Sequence, residues 1–403
     1  MRPITRRTFL PVLGSAAIAS RAAAQTRTAE VWPSRPPKDC PFQQSTEITG
    51  IGFMGQSRTY THADTWYPSW ASDDNLYSPW TDGTVNGVRS RSGGPSATTG
   101  QAKIIGGDPM ELDVISLGVQ AASPEPYGGR YPCGSLVSDG VWYYGTYCLD
   151  LKNPHLNWDV LGPFVGFRMS RDYGKTWTDT DLTPTNSLFG ESGKNGAKVK
   201  IGSPHFVDFG KNMQHSPDGK AYLVGHGAVR PDAQLSWISG DQVYLIRAAP
   251  SPTTINDRTK YEFFAGHDDQ GRPRWTREFA RIQPLVDWND RAGCVTMTYN
   301  APLKKYLMCI TDGFPTIFRM NTYILESDQI TGPWKLVTFM QSFGEQGYFV
   351  NIPSKFISPD GRTAWLSYST NFTNHGRMAT NWAVNPPGGS YAFSLQEIQL
   401  MRG

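Results

Sequence analysis

The sequence predicts an all-β chain, a single five-bladed β-propeller behind an N-terminal export signal, and three observations carry that prediction. Glycine, proline and aromatic residues are in surplus, with 41 Gly, 30 Pro and 12% Phe, Trp and Tyr, the mixture expected of many short strands joined by tight turns. One polar turn motif recurs along the chain in five copies. No stretch sustains helical periodicity between caps. A pair of β-sandwiches is the alternative architecture.

The N-terminus reads as a targeting segment. Thr5-Arg6-Arg7-Thr8-Phe9-Leu10 has the form of a twin-arginine signal, and a weakly apolar run follows from Pro11 to Ala19. Ala22-Ala23-Ala24 supplies the small residues that a signal peptidase cuts after, so 1–24 is expected to be removed near Gln25. The run is too short, and too poor in Leu and Ile, to span a bilayer. The expected location is the periplasm or the outside of the cell. Residues 25–45 then form an N-terminal extension, and 46–403 the propeller. The net charge of +3 with 18% charged residues gives no electrostatic reason to expect nucleic acid or an anionic membrane as partner.

The repeated turns place the blades. Ser72-Asp73-Asp74-Asn75-Leu76-Tyr77, Ser138-Asp139-Gly140-Val141-Trp142-Tyr143, Ser216-Pro217-Asp218-Gly219 and Ser358-Pro359-Asp360-Gly361 each open into a strand, with a looser copy at Asn300-Ala301-Pro302-Leu303. Gly and Asn tolerate the positive φ that hairpin turns require. The copies recur at intervals of roughly 60 to 85 residues, the scale of blades with long loops. Pro68, Pro132, Pro204 and Pro353 are expected at the start of the strand before four of the five turns. Ser170-Arg171-Asp172-Tyr173-Gly174-Lys175-Thr176-Trp177 matches the Asp-box pattern S-x-D-x-G-x-T-W, a structural turn of propellers in which Asp172 bonds backbone groups.

The five cysteines are Cys40, Cys133, Cys148, Cys294 and Cys309. Cys294 and Cys309 flank the Asn300-Ala301-Pro302-Leu303 turn and are expected to face each other across a hairpin, as a disulfide or as buried thiols. Cys133 and Cys148 share the same separation. No Cys-x-x-Cys or Cys/His cluster has metal-site spacing, so neither a metal site nor a cofactor is expected; a structural calcium ion in the propeller channel is left open.

A propeller hairpin runs from one rim to the other and back, so residues equally far from its turn meet at one rim. In the first blade Asp64 and Asp82 lie about equally far from the Asp73-Asp74 turn. Neighbouring strands are about 4.8 Å apart, which makes these carboxylates neighbours. Tyr60, His62, Trp66, Tyr67, Trp70 and Trp80 crowd around them in sequence, and Trp66 and Trp80 are candidates for stacking on a sugar. Carboxylates about 5 Å apart suit double displacement at an anomeric carbon, one attacking and the other moving the proton. Crowding two like charges also keeps one of them protonated near neutral pH. The structural reading is two Asp side chains bonding turn amides. The same rim rule selects Arg130, His205, His226, Asp312, Glu345, Tyr348 and Asn351 as substrate-binding candidates.

Asp64-Thr65-Trp66-Tyr67-Pro68-Ser69-Trp70, Tyr77-Ser78-Pro79-Trp80-Thr81-Asp82-Gly83 and Ile330-Thr331-Gly332-Pro333-Trp334 resemble segments of five-bladed propeller glycosidases. The resemblance is closest to the bacterial family whose studied members are endo-D-arabinanases, which uses two Asp residues of its first blade at a similar spacing. It implies an exported glycoside hydrolase acting on an arabinofuranan-like polysaccharide or oligosaccharide. By analogy Asp64 is the nucleophile and Asp82 the acid/base, or the reverse. The Trp-Met-Asn-Asp-Pro-Asn pattern of fructan-cleaving propellers and the arginine triad of sialidases are absent. Two rival readings are a polysaccharide lyase using Arg130, His205, His226 and Tyr348 on a uronate, and a non-catalytic carbohydrate-binding propeller.

Overall fold

A computed structural model describes residues 28–153, 158–178, 180–372 and 386–403. The expected signal peptide, 1–24, and its cleavage point lie outside the described residues. Among the described residues the helical elements are all short 3-10 turns, and no helix is long and apolar enough to cross a membrane.

Five antiparallel sheets follow one another along the chain as the blades of a propeller. In blade one, the strands His62–Asp64 and Ser69–Trp70 form the innermost edge and pair with Leu76–Val85. Blades two and three begin with Gly129–Ser138 and His205–Phe206, and blades four and five with Gly293–Asn300 and Tyr348–Asn351. Each of the five motif turns connects the innermost strand of a blade to its second strand. At Asp139-Gly140, φ values of 49° and 78° match the positive dihedrals that the residue types predicted.

The ring closes through its chain ends. Ile48–Tyr60 pairs with Phe393–Arg402 along its length, from Ile48 opposite Arg402 to Tyr60 opposite Phe393. Blade five is thus assembled from both ends of the sequence, which removes a free edge that would otherwise invite pairing with another chain. Glu30–Val31, within the segment expected as an extension, adds a short strand beside Gly52 and Phe53.

Inner strands are buried on both faces, because each blade packs between two others. Lys305–Asp312 is buried throughout, and its alternate residues enter different cores: Met308 and Ile310 on one side, Leu307 and Cys309 on the other. This period-two division corrects the cysteine expectation. The ladder runs without a shift from Asn300 opposite Lys305 to Thr296 opposite Cys309, so the turn loop is 301–304 and Cys294 lies past the Cys309 pair, beyond a bulge between Gly293 and Thr296. Cys294 instead packs in a third core and donates to the Trp237 carbonyl at 3.2 Å. All five cysteines are free thiols.

The prolines also differ from expectation. Pro132 lies within Gly129–Ser138, and Pro353 follows Tyr348–Asn351. An innermost strand has one unpaired edge facing the axis, so a missing N–H there costs no ladder bond. Asp172 accepts from the Thr176 amide at 2.9 Å and its hydroxyl at 2.6 Å, with Gly174 at φ 89°.

Candidate active site

The site is built at one rim of blade one. Asp64 ends the strand His62–Asp64 and stands opposite Thr81, which places it diagonally across from Asp82. Two backbone departures aim the side chains. Thr65 has φ 69° and Asp82 φ 46°, left-handed conformations that are rare for such residues and concentrate at functional sites. Gly83 sets the approach of the two strands. A Cβ there would lie 1.9 Å from the His62 carbonyl oxygen and 2.5 Å from the Ala63 Cα, so only glycine lets the Asp64 strand come this close.

Each carboxyl group is held by named donors. Thr65 Oγ1 donates to Asp64 Oδ1 at 3.0 Å, and the Tyr348 hydroxyl to Oδ2 at 3.1 Å. Tyr391 contributes a further hydrogen bond to Asp64. Ser92 supports Asp82 twice, its amide donating to Oδ1 at 2.6 Å and its hydroxyl to Oδ2 at 2.5 Å. With both oxygens accepting, Asp82 is arranged as a carboxylate.

Burial and the nearby Asp82 charge together push the Asp64 carboxyl well above the usual carboxylate range, against the opposing hydrogen bonds from Thr65, Tyr348 and Tyr391. The pair therefore keeps a proton on Asp64 under conditions in which an ordinary aspartate is ionised. The hydroxyl of Tyr348 can accept as well as donate, so it accommodates either state.

Both carboxyl groups line a pocket of about 420 Å³, within the size range of small-molecule sites. Its walls come from three other parts of the ring: Tyr131 and Tyr147 from blade two, Trp237 from a blade-three loop, and Phe349, Phe372 and Tyr391 from the blade-five region. Trp237 meets Tyr348 and Phe349 with ring centroids 5.3 Å apart in each case, a rigid aromatic floor. Arg89 and Arg91 complete the lining on the blade-one side.

Most residues selected by the rim rule lie elsewhere. Trp66 and Trp80 are 1% and 0% exposed and pack in the blade-one core; Trp66 lies between the two innermost strands and Trp80 on a strand covered on both faces, so the aromatic wall is recruited from other blades. Arg130 donates to Thr146 Oγ1 at 3.0 Å and to the Ser123 carbonyl at 3.4 Å, outside the pocket lining. Asp312 is buried in an ion pair with Arg291 at 2.9 Å. Glu345 pairs with Arg319 at 3.3 Å. Asn351 donates to the Trp66 and Phe349 carbonyls at 3.2 and 2.9 Å. His205, stacked on Tyr67 at 3.8 Å, and Asn351 line a cavity of about 30 Å³ on the propeller axis. Tyr348 alone of this set touches the carboxyl pair. Among the described residues no three His, Cys, Asp or Glu side chains are grouped to hold a metal ion.

His226 is fully buried, its Nε2 facing the Ser236 carbonyl at 2.8 Å. Burial pushes His226 down to about 4 and His205 well below its ordinary value. Both are neutral in the fold, while an unfolded His takes up its proton near 6.5. Stability is therefore present in full above pH 6.5 and lost as pH falls towards 4, at up to about 1.4 kcal/mol per pH unit for each group. Thermal melts across this range are expected to show a falling Tm, and the fall should shrink in His226→Gln.

No family model matches the chain, and neither does any curated protein. Among solved structures, an α-L-arabinofuranosidase from Podospora anserina in complex with cellotriose is 12% identical, covering 92% of this chain and 94% of its own, with TM-score 0.41. A GH43_1 enzyme from Xanthomonas citri with xylotriose is 13% identical over 85% and 88%, TM-score 0.45. An α-L-arabinanase from Penicillium chrysogenum with arabinobiose is 12% identical over 86% and 99%, TM-score 0.41.

Proposed function

We propose that the chain is a glycoside hydrolase, with Asp64 and Asp82 as its catalytic carboxyl pair. The observation that carries this reading is the placement of two aspartates from adjacent strands on one aromatic-walled pocket, one of them kept protonated. Glycosidic cleavage needs that inequality: a proton for the departing oxygen and a carboxylate for the anomeric carbon. Aromatic faces suit the apolar faces of sugar rings.

The electrostatics favour the exchanged roles. Asp64, buried and proton-bearing, is the acid/base; Asp82, with both oxygens fixed by Ser92, is the nucleophile. Tyr348 and Tyr391 position Asp64 and lower its cost of ionising after the proton leaves. The substrate is a polysaccharide or oligosaccharide, and the blade-one resemblance suggests arabinofuranan-type linkages. An export signal at 1–24 fits a polymer met outside the cytoplasm.

The test is a reducing-end screen of the purified protein on plant and bacterial polysaccharides, followed by proton NMR of the first sugar released. Double displacement predicts product with the anomeric configuration of the substrate; inverted product would refute it. Activity requires protonated Asp64, so kcat/KM should decline as pH rises through its elevated pKa. A profile flat from mildly acidic to alkaline pH would overturn the acid role.

A further inference from the structure

Among the described residues the charged groups of the pocket lining are Asp64, Asp82, Arg89 and Arg91. With one proton held by the carboxyl pair, these four groups carry an excess of positive charge beside walls rich in aromatic side chains. Low-dielectric walls of this kind concentrate the field of a fixed charge.

Both arginines are presented by an anchored hairpin. Val85 pairs with Val88 around the Asn86-Gly87 turn, Thr84 with Arg89, and Gly83 with Ser90. Arg89 lies on the strand Val88–Ser90 and Arg91 directly follows it, and both line the pocket. Asn86 Oδ1 accepts from the Ser116 amide at 2.7 Å, and the Ser90 hydroxyl donates to the Thr98 carbonyl at 2.9 Å. The turn and the strand are thereby tied to the rest of blade one. Arg91 donates to the Ser96 hydroxyl. Among the described residues no carboxylate forms an ion pair with Arg89 or Arg91, whereas Arg291 and Arg319 are both matched. The next residue, Ser92, is the one that holds Asp82, so this segment links an anion-seeking edge to the reacting carboxylate.

Resting on the hydrolase reading above, we infer that the substrate is an anionic glycan, bearing carboxylate, sulfate or phosphate groups, and that Arg89 and Arg91 hold one such group beside the bond that is cleaved. A guanidinium presents two parallel donors that match the paired oxygens of these groups, and each charge-assisted bond is stronger than one to a sugar hydroxyl. A neutral chain needs stacking and hydroxyl contacts, and makes no use of the excess charge.

The experiment compares matched polymers: polygalacturonate with its methyl ester, dextran sulfate with dextran, phosphomannan with mannan, and neutral arabinan beside them. Reducing-end release and affinity electrophoresis are both read, for the unaltered protein and for Arg89→Gln and Arg91→Gln. Glutamine keeps hydrogen bonding to hydroxyls and removes the charge, and thermal melts confirm folding. The expected result is cleavage of one charged polymer over its neutral partner. Its KM should rise about 10- to 100-fold in each variant, and the preference should weaken with salt. The arm that responds identifies which anionic group is read. Equal cleavage of neutral polymers, unchanged in both variants, overturns the inference and leaves the hydrolase reading intact. Charged-polymer binding that is lost in the Gln variants, with no cleavage of any polymer, upholds the inference and refutes the hydrolase. Neither binding nor cleavage overturns both.

Discussion

Replacing Asp64 or Asp82 by Asn is expected to cut turnover by about 10⁴-fold in each case, while the protein stays folded. The two variants should differ in how they fail. Without an acid, Asp64→Asn should retain activity on aryl glycosides, whose leaving groups need no proton. Without a nucleophile, Asp82→Asn should lose these substrates too. Small anions such as azide should rescue Asp64→Ala with retention, and Asp82→Ala with inversion, read from the anomeric proton of the glycosyl azide. The opposite pattern would restore the roles implied by family analogy.

The Asp64 variant carries a second expected result, on stability. Its folded pKa is raised by burial and by Asp82, so the folded state binds its proton more tightly than the unfolded chain does. Stability from this group is present in full below the unfolded value near 4 and is lost as pH rises towards the folded value. Asp64→Asn removes the ionisation and keeps the shape. Its Tm at neutral pH should exceed that of the unaltered protein, by roughly 1 °C for each kcal/mol recovered in a domain of this size. A lower Tm would mean that the hydrogen bonds from Thr65 and Tyr348 outweigh the burden of burial. Gaining stability while losing activity is the expected trade at a site built against folding.

Gly83→Ala is expected to do the most damage for the smallest chemical change. The added methyl would overlap the backbone of His62 and Ala63 at 1.9 and 2.5 Å, and no flexible side chain is available to yield. Overpacking of this kind costs about 1–3 kcal/mol or more, so a clear drop in Tm is expected. Relief requires the His62–Asp64 strand to shift outward and take Asp64 with it. A displacement near 1 Å at a reacting group can cost about 10²-fold in rate. The informative quantity is kcat at saturating substrate and at a temperature where the variant is folded. Full kcat there would show that the two strands tolerate separation, and would weaken the view that close approach makes the site.

What the sequence determined by itself is whatever depends on neighbours along the chain. The Asp-Gly and Asn-rich turns specify five hairpins because positive φ is a property of single residues, and hairpins at blade-sized spacing imply a ring. The approach of Asp64 to Asp82 belongs to the same class, since one hairpin carries both. Tertiary structure alone decided the rest. Cys294 and Cys309 are buried thiols, one of the two expected outcomes, but they do not face each other: the turn loop is 301–304, one residue on from the expected 300–303, and residue types alone do not fix that offset. Trp66 and Trp80 went to the core because both faces of a blade are covered by its neighbours, leaving little room for exposed aromatics on the strands themselves. The pocket walls come from Tyr131, Tyr147, Trp237, Phe349, Phe372 and Tyr391, residues far apart in sequence that meet only because the ring closes. Closure itself, with Ile48–Tyr60 beside Phe393–Arg402, joins the ends of the described chain. Local dihedrals choose the turns; only packing around the axis chooses which side chains share a cavity.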